Sequence, residues 1–467
     1  MRKKVLHHNY LVLLIALIIS VGISGCQSNN CIGSIELDEN YLEIFPYPEL
    51  ESRRHVGIIP SMSSENTIAF LNKDGTKTLY VYAAPIQNYI KNDENDGVTF
   101  SLIDNRIIEN TDKMREKGYI YKNAVNNIAV YFPKNTFDTR GVLLCDNDFI
   151  LEISPLSNTE VIPTEYLEKE NIIGDIKPMI KYSNDDLGTS TYLYPSNTGL
   201  NMELEATGSS DKCDVQFMLD ITSPDKANLK IQPNGYATIS IENVIKAVIQ
   251  SPILKDKEGN ISYDSEISYK YVEKNKYLVT LSLEQDYINL GSKAYCSFEM
   301  RREKSNDNTI YSGMPELNNN HLANFSVVGK SERYGIGRNM MRFNFTKNYN
   351  LVADDIISAR YSVYNMTGGG TESSFELVDI LEEWSSSLGN WNKNYNFGET
   401  VSFSDTADSV ITFDITEKAK MWCADETGLS EINGLMIKAS DETNFHSYVL
   451  STNDNNLFNN VLVIHLK

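Results

Sequence analysis

The sequence predicts an all-β protein: several β-modules ending in a jelly-roll-like β-sandwich, with few short helices. Three observations lead there. Strand-length runs rich in Val, Ile, Tyr and Phe recur from Thr78 onward, among them "TLYVYAAP", "NNIAVYF", "FILEI", "YATISI", "KYLVTLSL" and "AYCSFEM". Clusters of Asn, Asp, Gly and Lys such as "NKDG", "NDENDG" and "KDKEGN" separate many of them. Long helical periodicity is nearly absent, and the best mid-chain candidate, 110–117, is short. β-branched and aromatic side chains suit a half-buried pleat, and the turn residues supply the bends.

The C-terminal part carries the plainest alternation. In "MMRFNF", Met341, Phe343 and Phe345 alternate with Arg342 and Asn344. In "IISARYSVY", Ile357, Ala359, Tyr361 and Val363 share one face, with Ser358, Arg360 and Ser362 on the other. In "SVITFDIT" the apolar face is Ile411, Phe413 and Ile415. A period-2 stripe with a polar opposite face is what a two-sheet sandwich requires. "TGGGTESS" reads as a hairpin turn. One short helix is expected at "DITEKAKMWC", capped by Thr416, with Ile415, Ala419 and Trp422 on one face.

The chain opens with Arg2, Lys3 and Lys4, then the apolar run Leu11–Gly25, then Cys26. That run is shorter than the roughly 20 residues a spanning helix needs, so it reads as a signal peptide over 1–25. "ISGC" resembles a bacterial lipobox, which implies that Cys26 becomes a lipid-bearing N-terminus. The protein body is then held to the membrane by lipid, on the extracellular face of a bacterial cell. Residues 26–60 are polar and irregular and read as a tether. Polar, Pro-bearing stretches at 155–175 and 302–320 divide the remainder into an N-terminal β-module (61–155), a second β-module (176–301) and the sandwich (321–467).

The net charge of −21 argues against nucleic acid, which demands basic patches, and against lying flat on an anionic bilayer. Besides Cys26, the cysteines are Cys31, Cys145, Cys213, Cys296 and Cys423, widely scattered and without a C-x-x-C pair. Neither a disulfide framework nor a zinc site is expected.

The order "GRNMMRFNF", "IISARYSVY", "FELVDILEEWSSSLGNWNKN", "ITFDITEKAKMW", "INGLMIKAS" and a closing strand resembles the DNRLRE-type β-sandwich domain of bacterial surface proteins, across 333–467. Phe343 sits in the first motif and Ala359 in the second. Trp384 and Trp391 bracket the third, Asp414, Thr416 and Trp422 mark the fourth, and Gly434 the fifth. Asn390 stands where that family often has Thr, and the proline usual before the last strand is missing, so no fine specificity is carried over. Upstream, "ENTIAFLNKDGTKTLYVYAAPIQNY", "STYLYPSNTGLNMELEA" and "KYLVTLSLEQDYIN" resemble the N-terminal region of Rhs-type wall-associated proteins. In place of the Lys-Glu pair usual there, this chain has Asn201-Met202-Glu203, and it carries no tandem YD repeats. The resemblance implies a cell-surface protein, with polysaccharide or a larger surface protein as partner.

Motifs for catalysis are missing: no G-x-S-x-G, no H-E-x-x-H and no phosphate-binding loop occur. "GIGRNM" lacks the third Gly of a dinucleotide loop. His55, His321, His446 and His465 are far apart in sequence. No nucleophile, base and orienter come together, so no enzyme and no cofactor are expected; the alternative, a polysaccharide-cleaving enzyme, would require paired carboxylates in a cleft, and no such pair stands out among the 63 Asp and Glu. Acidic loops such as "NDENDG" hold oxygen ligands of the kind calcium takes, but solvated turns are the commoner outcome, and the metal status stays undetermined. Trp422 is expected in the core. Trp384 and Trp391, with Tyr395 and Phe397, are candidate ligand-binding residues, since indoles stack on sugar C–H faces and the interleaved amides suit hydroxyls. Packing at the sandwich edge explains the same pair of tryptophans, and both readings stand on the residues alone.

Overall fold

The computed structural model describes residues 35–36 and 55–467 except for short stretches, the longest being 207–213, 284–291, 301–306, 317–324 and 452–459. The signal segment 1–25, Cys26 and most of the expected tether lie outside the described residues. The described residues are all-β: four large sheets form two sandwiches, beside the two-stranded pairs Gln87–Asn92 with Gly97–Leu102 and Asn135–Thr136 with Ile162–Pro163.

The middle sandwich runs from 104 to 300. Its first sheet contains Asp104–Glu109, Tyr119–Val125, Ala129–Pro133, Val142–Asp146 and Phe149–Pro155, continued by Asp214–Thr222, Lys276–Ser282 and Glu266–Glu273. Its second sheet takes strands from 165–206, 227–255 and 293–300. Asp214–Thr222 shows the principle: Val215, Phe217, Leu219 and Ile221 are buried, while the residues between them point outward. Phe217 meets Phe298 of the facing sheet edge to face at 5.3 Å. The expected boundary at 155–175 therefore does not separate two modules. Phe149–Pro155 pairs directly with Asp214–Thr222, so both expected modules feed one core.

The second sandwich closes the two ends of the chain on each other. Its back sheet runs Ile35–Glu36, His55–Ile58, Thr67–Asn72, Lys77–Tyr82, Val461–Leu466, Ile356–Tyr364 and Val410–Asp414. Its front sheet runs Phe397–Thr406, Ser373–Ile380, Leu435–Ala439, Gly335–Met341, Phe325–Ser331 and Ser447–Ser451, with Asp307–Tyr311 also on Gly335–Met341. Two further boundaries change accordingly. Residues 55–82, expected as tether and N-terminal module, belong to the C-terminal sandwich, and Asp307–Tyr311 lies inside the expected linker 302–320. The physical reason lies in the last strand. Val461, Leu462 and Ile464 are all buried, so both faces are covered and the strand is central, with hydrogen-bonded neighbours on both sides.

Most of the alternation holds. Met341, Phe343, Phe345, Ala359, Tyr361, Val363, Ile411, Phe413 and Ile415 form one core. Ile357 departs from it and is exposed. A register shift between Ile356 and Ser358 turns Ile356 inward instead. The stretch "TGGGTESS" is not a hairpin turn. Ile356–Tyr364 and Ser373–Ile380 lie in opposite sheets and do not pair with each other, and 368–372 between them lie outside the described residues.

The helix forms at Thr416–Ala424, but Thr416 is its first residue rather than its cap. The Thr416 hydroxyl lies 2.6 Å from Asp414 Oδ1 and accepts from the Ala359 N–H at 3.0 Å, tying the helix start to a central strand. Trp422 is core, as expected, between Phe343 and Phe345 at 5.3 and 5.8 Å. On the same helix the buried Lys418 donates to Asp379 at 2.7 Å, reaching the front sheet. Gly434, φ +74°, precedes Leu435–Ala439 at a point where a β-carbon would overlap the Met341 carbonyl, so only glycine fits. The thiols of Cys145, Cys296 and Cys423 are free, and burial pushes Cys145 and Cys423 up to about 11.

These pairings make a fragment test decisive. Residues 321–467 alone lack the strands of 55–82 and are expected to show no cooperative unfolding in urea, whereas 55–467 unfolds cooperatively. A sharp transition from 321–467 would show that the N-terminal strands are dispensable.

Candidate functional site

The front sheet is apolar at both parities of its central strands. Met341, Phe375, Leu377, Leu435 and Ile437 face the back sheet. The alternate residues Met340, Val378 and Met436 point the other way, where a sheet face would ordinarily meet water. The segment 382–397 covers them. Trp384 is 2% exposed and packs with Met340, Val378, Ile380, Met436 and Tyr395. Its indole N–H donates to the Asn433 carbonyl at 2.7 Å. The Arg342 guanidinium stacks on its ring at 4.3 Å and donates to the Trp384 carbonyl at 3.1 Å.

Two of the four candidate aromatics are therefore not available to a ligand. Trp384 and Tyr395 are buried because the strands beneath them leave an apolar face that must be roofed. Trp391 and Phe397 differ. Both are half-buried at the rim of the same cluster. The Arg338 guanidinium lies 5.0 Å from the Trp391 ring centre and 6.0 Å from that of Phe397. Backbone and side-chain bonds hold the rim: Leu381 N–H to the Asn396 carbonyl at 3.0 Å, Asn396 N–H to Glu382 at 3.1 Å, and Asn392 to both Pro315 and Glu316. Residues 385–389 lie outside the described residues.

Beside this rim the same outer face turns polar. Glu376 stands opposite Lys438 in the ladder, with Nζ and Oε2 2.9 Å apart. Thr400 donates to the same Glu376 oxygen at 3.1 Å. Arg338 donates twice to Glu442, at 2.9 and 2.7 Å, the bidentate geometry that makes guanidinium–carboxylate pairs strong. The four charged side chains keep modest exposure: 22% and 16% for Arg338 and Glu442, 24% and 18% for Lys438 and Glu376. Ser374 donates to Ser440 at 2.9 Å at the far side. The result is a floor of paired charges and hydroxyls with an aromatic edge.

Glu442 owes its place to a turn. Asp441 accepts from the Thr443 N–H at 2.8 Å, the Thr443 hydroxyl at 2.6 Å and the Asn444 amide at 2.6 Å. Those bonds, from Thr443 first, hold the exposed Asp441 carboxyl down at about 2. Lys330 clamps the turn from the neighbouring strand, donating to the Thr443 carbonyl at 3.1 Å and lying 4.5 Å over the Phe445 ring.

No motif in the sequence singles out Arg338, Glu376, Lys438 or Glu442. One signal existed: in "GLMIKA" Lys438 shares the parity of Met436, and in "GIGRNM" Arg338 shares that of Met340. Elsewhere, Glu203 and Glu299 are buried on the middle sandwich, accepting from Tyr194 at 2.7 Å and Ser297 at 3.1 Å, out of reach of solvent. Among the described residues no group of three or more His, Cys, Asp or Glu could hold a metal ion. Most of the "NDENDG" loop, 93–96, lies outside them.

Two outcomes check this geometry. Trp384→Ala is expected to cost about 3–5 kcal/mol in urea unfolding, because it opens a cavity under a fixed roof, whereas Trp391→Ala costs about 1 kcal/mol or less. Because its pKa is depressed, the ionised Asp441 supports its turn fully above the ordinary carboxylate range and loses that support as pH falls through about 2. The Thr443 amide is therefore expected to stay protected from hydrogen exchange at pH 4, and Asp441→Ala to remove that protection.

No family model and no curated protein matches the chain. Among solved structures it is similar to the family GH92 alpha-mannosidase of Bacteroides thetaiotaomicron, with 8% identity and a TM-score of 0.20, over 37% of this chain and 30% of that one. The same enzyme in complex with mannoimidazole gives 9% identity and a TM-score of 0.20, over 42% of this chain and 29% of that one. The chain thus spans less than a third of the mannosidase, and a likeness this slight carries no argument about activity.

Proposed function

We propose that this is a non-enzymatic, lipid-anchored protein of the bacterial cell envelope that binds polysaccharide on the outer face of its front sheet. One observation carries the reading: Trp391 and Phe397 edge a floor of paired charges, Arg338 with Glu442 and Lys438 with Glu376. A half-buried indole offers its face to the C–H side of a pyranose, and charged pairs both donate to and accept from hydroxyls. The lipobox-like "ISGC" supports the anchor at Cys26, and the likeness of 333–467 to DNRLRE-type domains supports a surface role.

A second reading is a protein-binding accessory of a larger surface protein. It is favoured by Glu266–Glu273, the end strand of its sheet among the described residues, where Tyr269 and Tyr271 are 40% and 54% exposed.

The test follows tryptophan fluorescence while the whole chain after Cys26 is titrated with cell-wall and extracellular polysaccharides. A saturable change is expected, and Trp391→Ala should abolish it while leaving the urea midpoint nearly unchanged. A flat response across the polysaccharides would sink the reading and turn attention to the Tyr269/Tyr271 strand.

A further inference from the structure

We infer that the glycan taken by this face is neutral and hydroxyl-rich, and that Glu442 and Glu376 keep acidic glycans out. The inference rests on the polysaccharide reading and adds the charge class of the ligand.

Each cation on the floor already has a carboxylate in contact. Arg338 spends its Nε and Nη2 donors on Glu442, and Lys438 sits 2.9 Å from Glu376. Two cations and two anions leave the floor formally uncharged. A uronate, sulfate or phosphate approaching Arg338 meets the Glu442 charge first, and displacing Glu442 would strand a carboxylate in a half-buried position. The rest of the chain adds to this exclusion, since its net charge is −21. A neutral diol meets no such cost. One hydroxyl can accept from the guanidinium edge not used by Glu442, while its neighbour donates to a Glu442 or Glu376 oxygen, and the sugar's apolar face lies toward Trp391.

The carboxylates are held in place before any ligand arrives. The Asp441 turn and the Lys330 clamp fix Glu442, and the Thr400 hydroxyl fixes Glu376. A preorganised floor loses little freedom on binding. It also makes Asp441 a positioning residue, since it touches Glu442 through the chain and not the ligand.

The experiment is calorimetry on the whole chain after Cys26. The neutral probes are cellohexaose, mannohexaose and N-acetylchitohexaose, and the acidic probe is hexagalacturonate, each at about 20 and about 300 mM salt, which brackets the screening of surface charge. At least one neutral probe is expected to bind, with an affinity that changes less than about twofold across that salt range, and hexagalacturonate is expected not to bind. Glu442→Gln, checked for an unchanged melting curve, leaves Arg338 uncompensated. It is expected to weaken the neutral probe about tenfold and to create hexagalacturonate binding that falls steeply with salt. Glu376→Gln should shift the same balance through Lys438 and serves if the first variant is unstable. Hexagalacturonate binding to the unaltered chain, lost at high salt, would overturn the neutral assignment while leaving glycan binding standing. No response to any probe would overturn both.

Discussion

The pairing of Lys77–Tyr82 with Val461–Leu466 is the constraint on which this architecture depends. Six register pairs join the strands, from Lys77 opposite Leu466 to Tyr82 opposite Val461. Beyond them, the Lys77 ammonium donates to the Lys467 carbonyl, 390 residues away in sequence. This seam joins strands from residues 35–82 and 356–466 into one seven-stranded back sheet. Residues 104–300 lie within the loop the seam closes. Contacts at such separation carry a large loop-closure cost before they return any stabilisation, so folding through this seam is slow relative to the local hairpins.

Both sheets of the C-terminal sandwich bury part of their outer faces. On the back sheet the outer face holds His55, Phe70, Tyr80 and Tyr82. His55 stacks on Phe70 at 4.3 Å and bonds to Asn72 at 2.7 Å and Tyr80 at 3.0 Å. The Asn72 amide also donates to Thr76 and Thr78, both at 2.9 Å, so His55 sits in a buried hydrogen-bonded set. On the front sheet the roof is the tryptophan segment itself. One stretch thus does two things: Trp384 seals an apolar face, and Trp391, seven residues on, marks where the seal ends and the paired charges begin.

Charge in this protein is managed by pairing rather than by removal. Lys418 is buried and answered by Asp379, Lys169 by Glu205 at 2.6 Å, and Arg338 by Glu442. Breaking one partner of a buried pair costs far more than the pair contributes, so each fixes a geometry. At Arg338 that geometry lies on the outer face of the front sheet, where the paired side chains keep partial exposure.

By itself the amino-acid sequence determined the all-β class, the core parity of Met341, Phe343, Ala359, Tyr361, Phe413 and Ile415, and the interior place of Trp422, because period-2 patterning and a helical i, i+4, i+7 face are local properties. It also singled out the aromatics of 382–397 as a group, of which the structure buries Trp384 and Tyr395 and leaves Trp391 and Phe397 half-buried. Tertiary structure alone decided the rest. Which sheet a strand joins depends on residues hundreds of positions away, so the sequence could not show that 55–82 belongs with 461–466 or that one sandwich is inserted in another. A one-residue bulge reversed Ile356 and Ile357 without any mark in composition. Trp384 and Trp391 look alike in sequence; what lies beneath each, Met340 and Met436 for one and the Arg338–Glu442 pair for the other, is set by strand register across the sheet, and register is a property of the pairing and not of either strand.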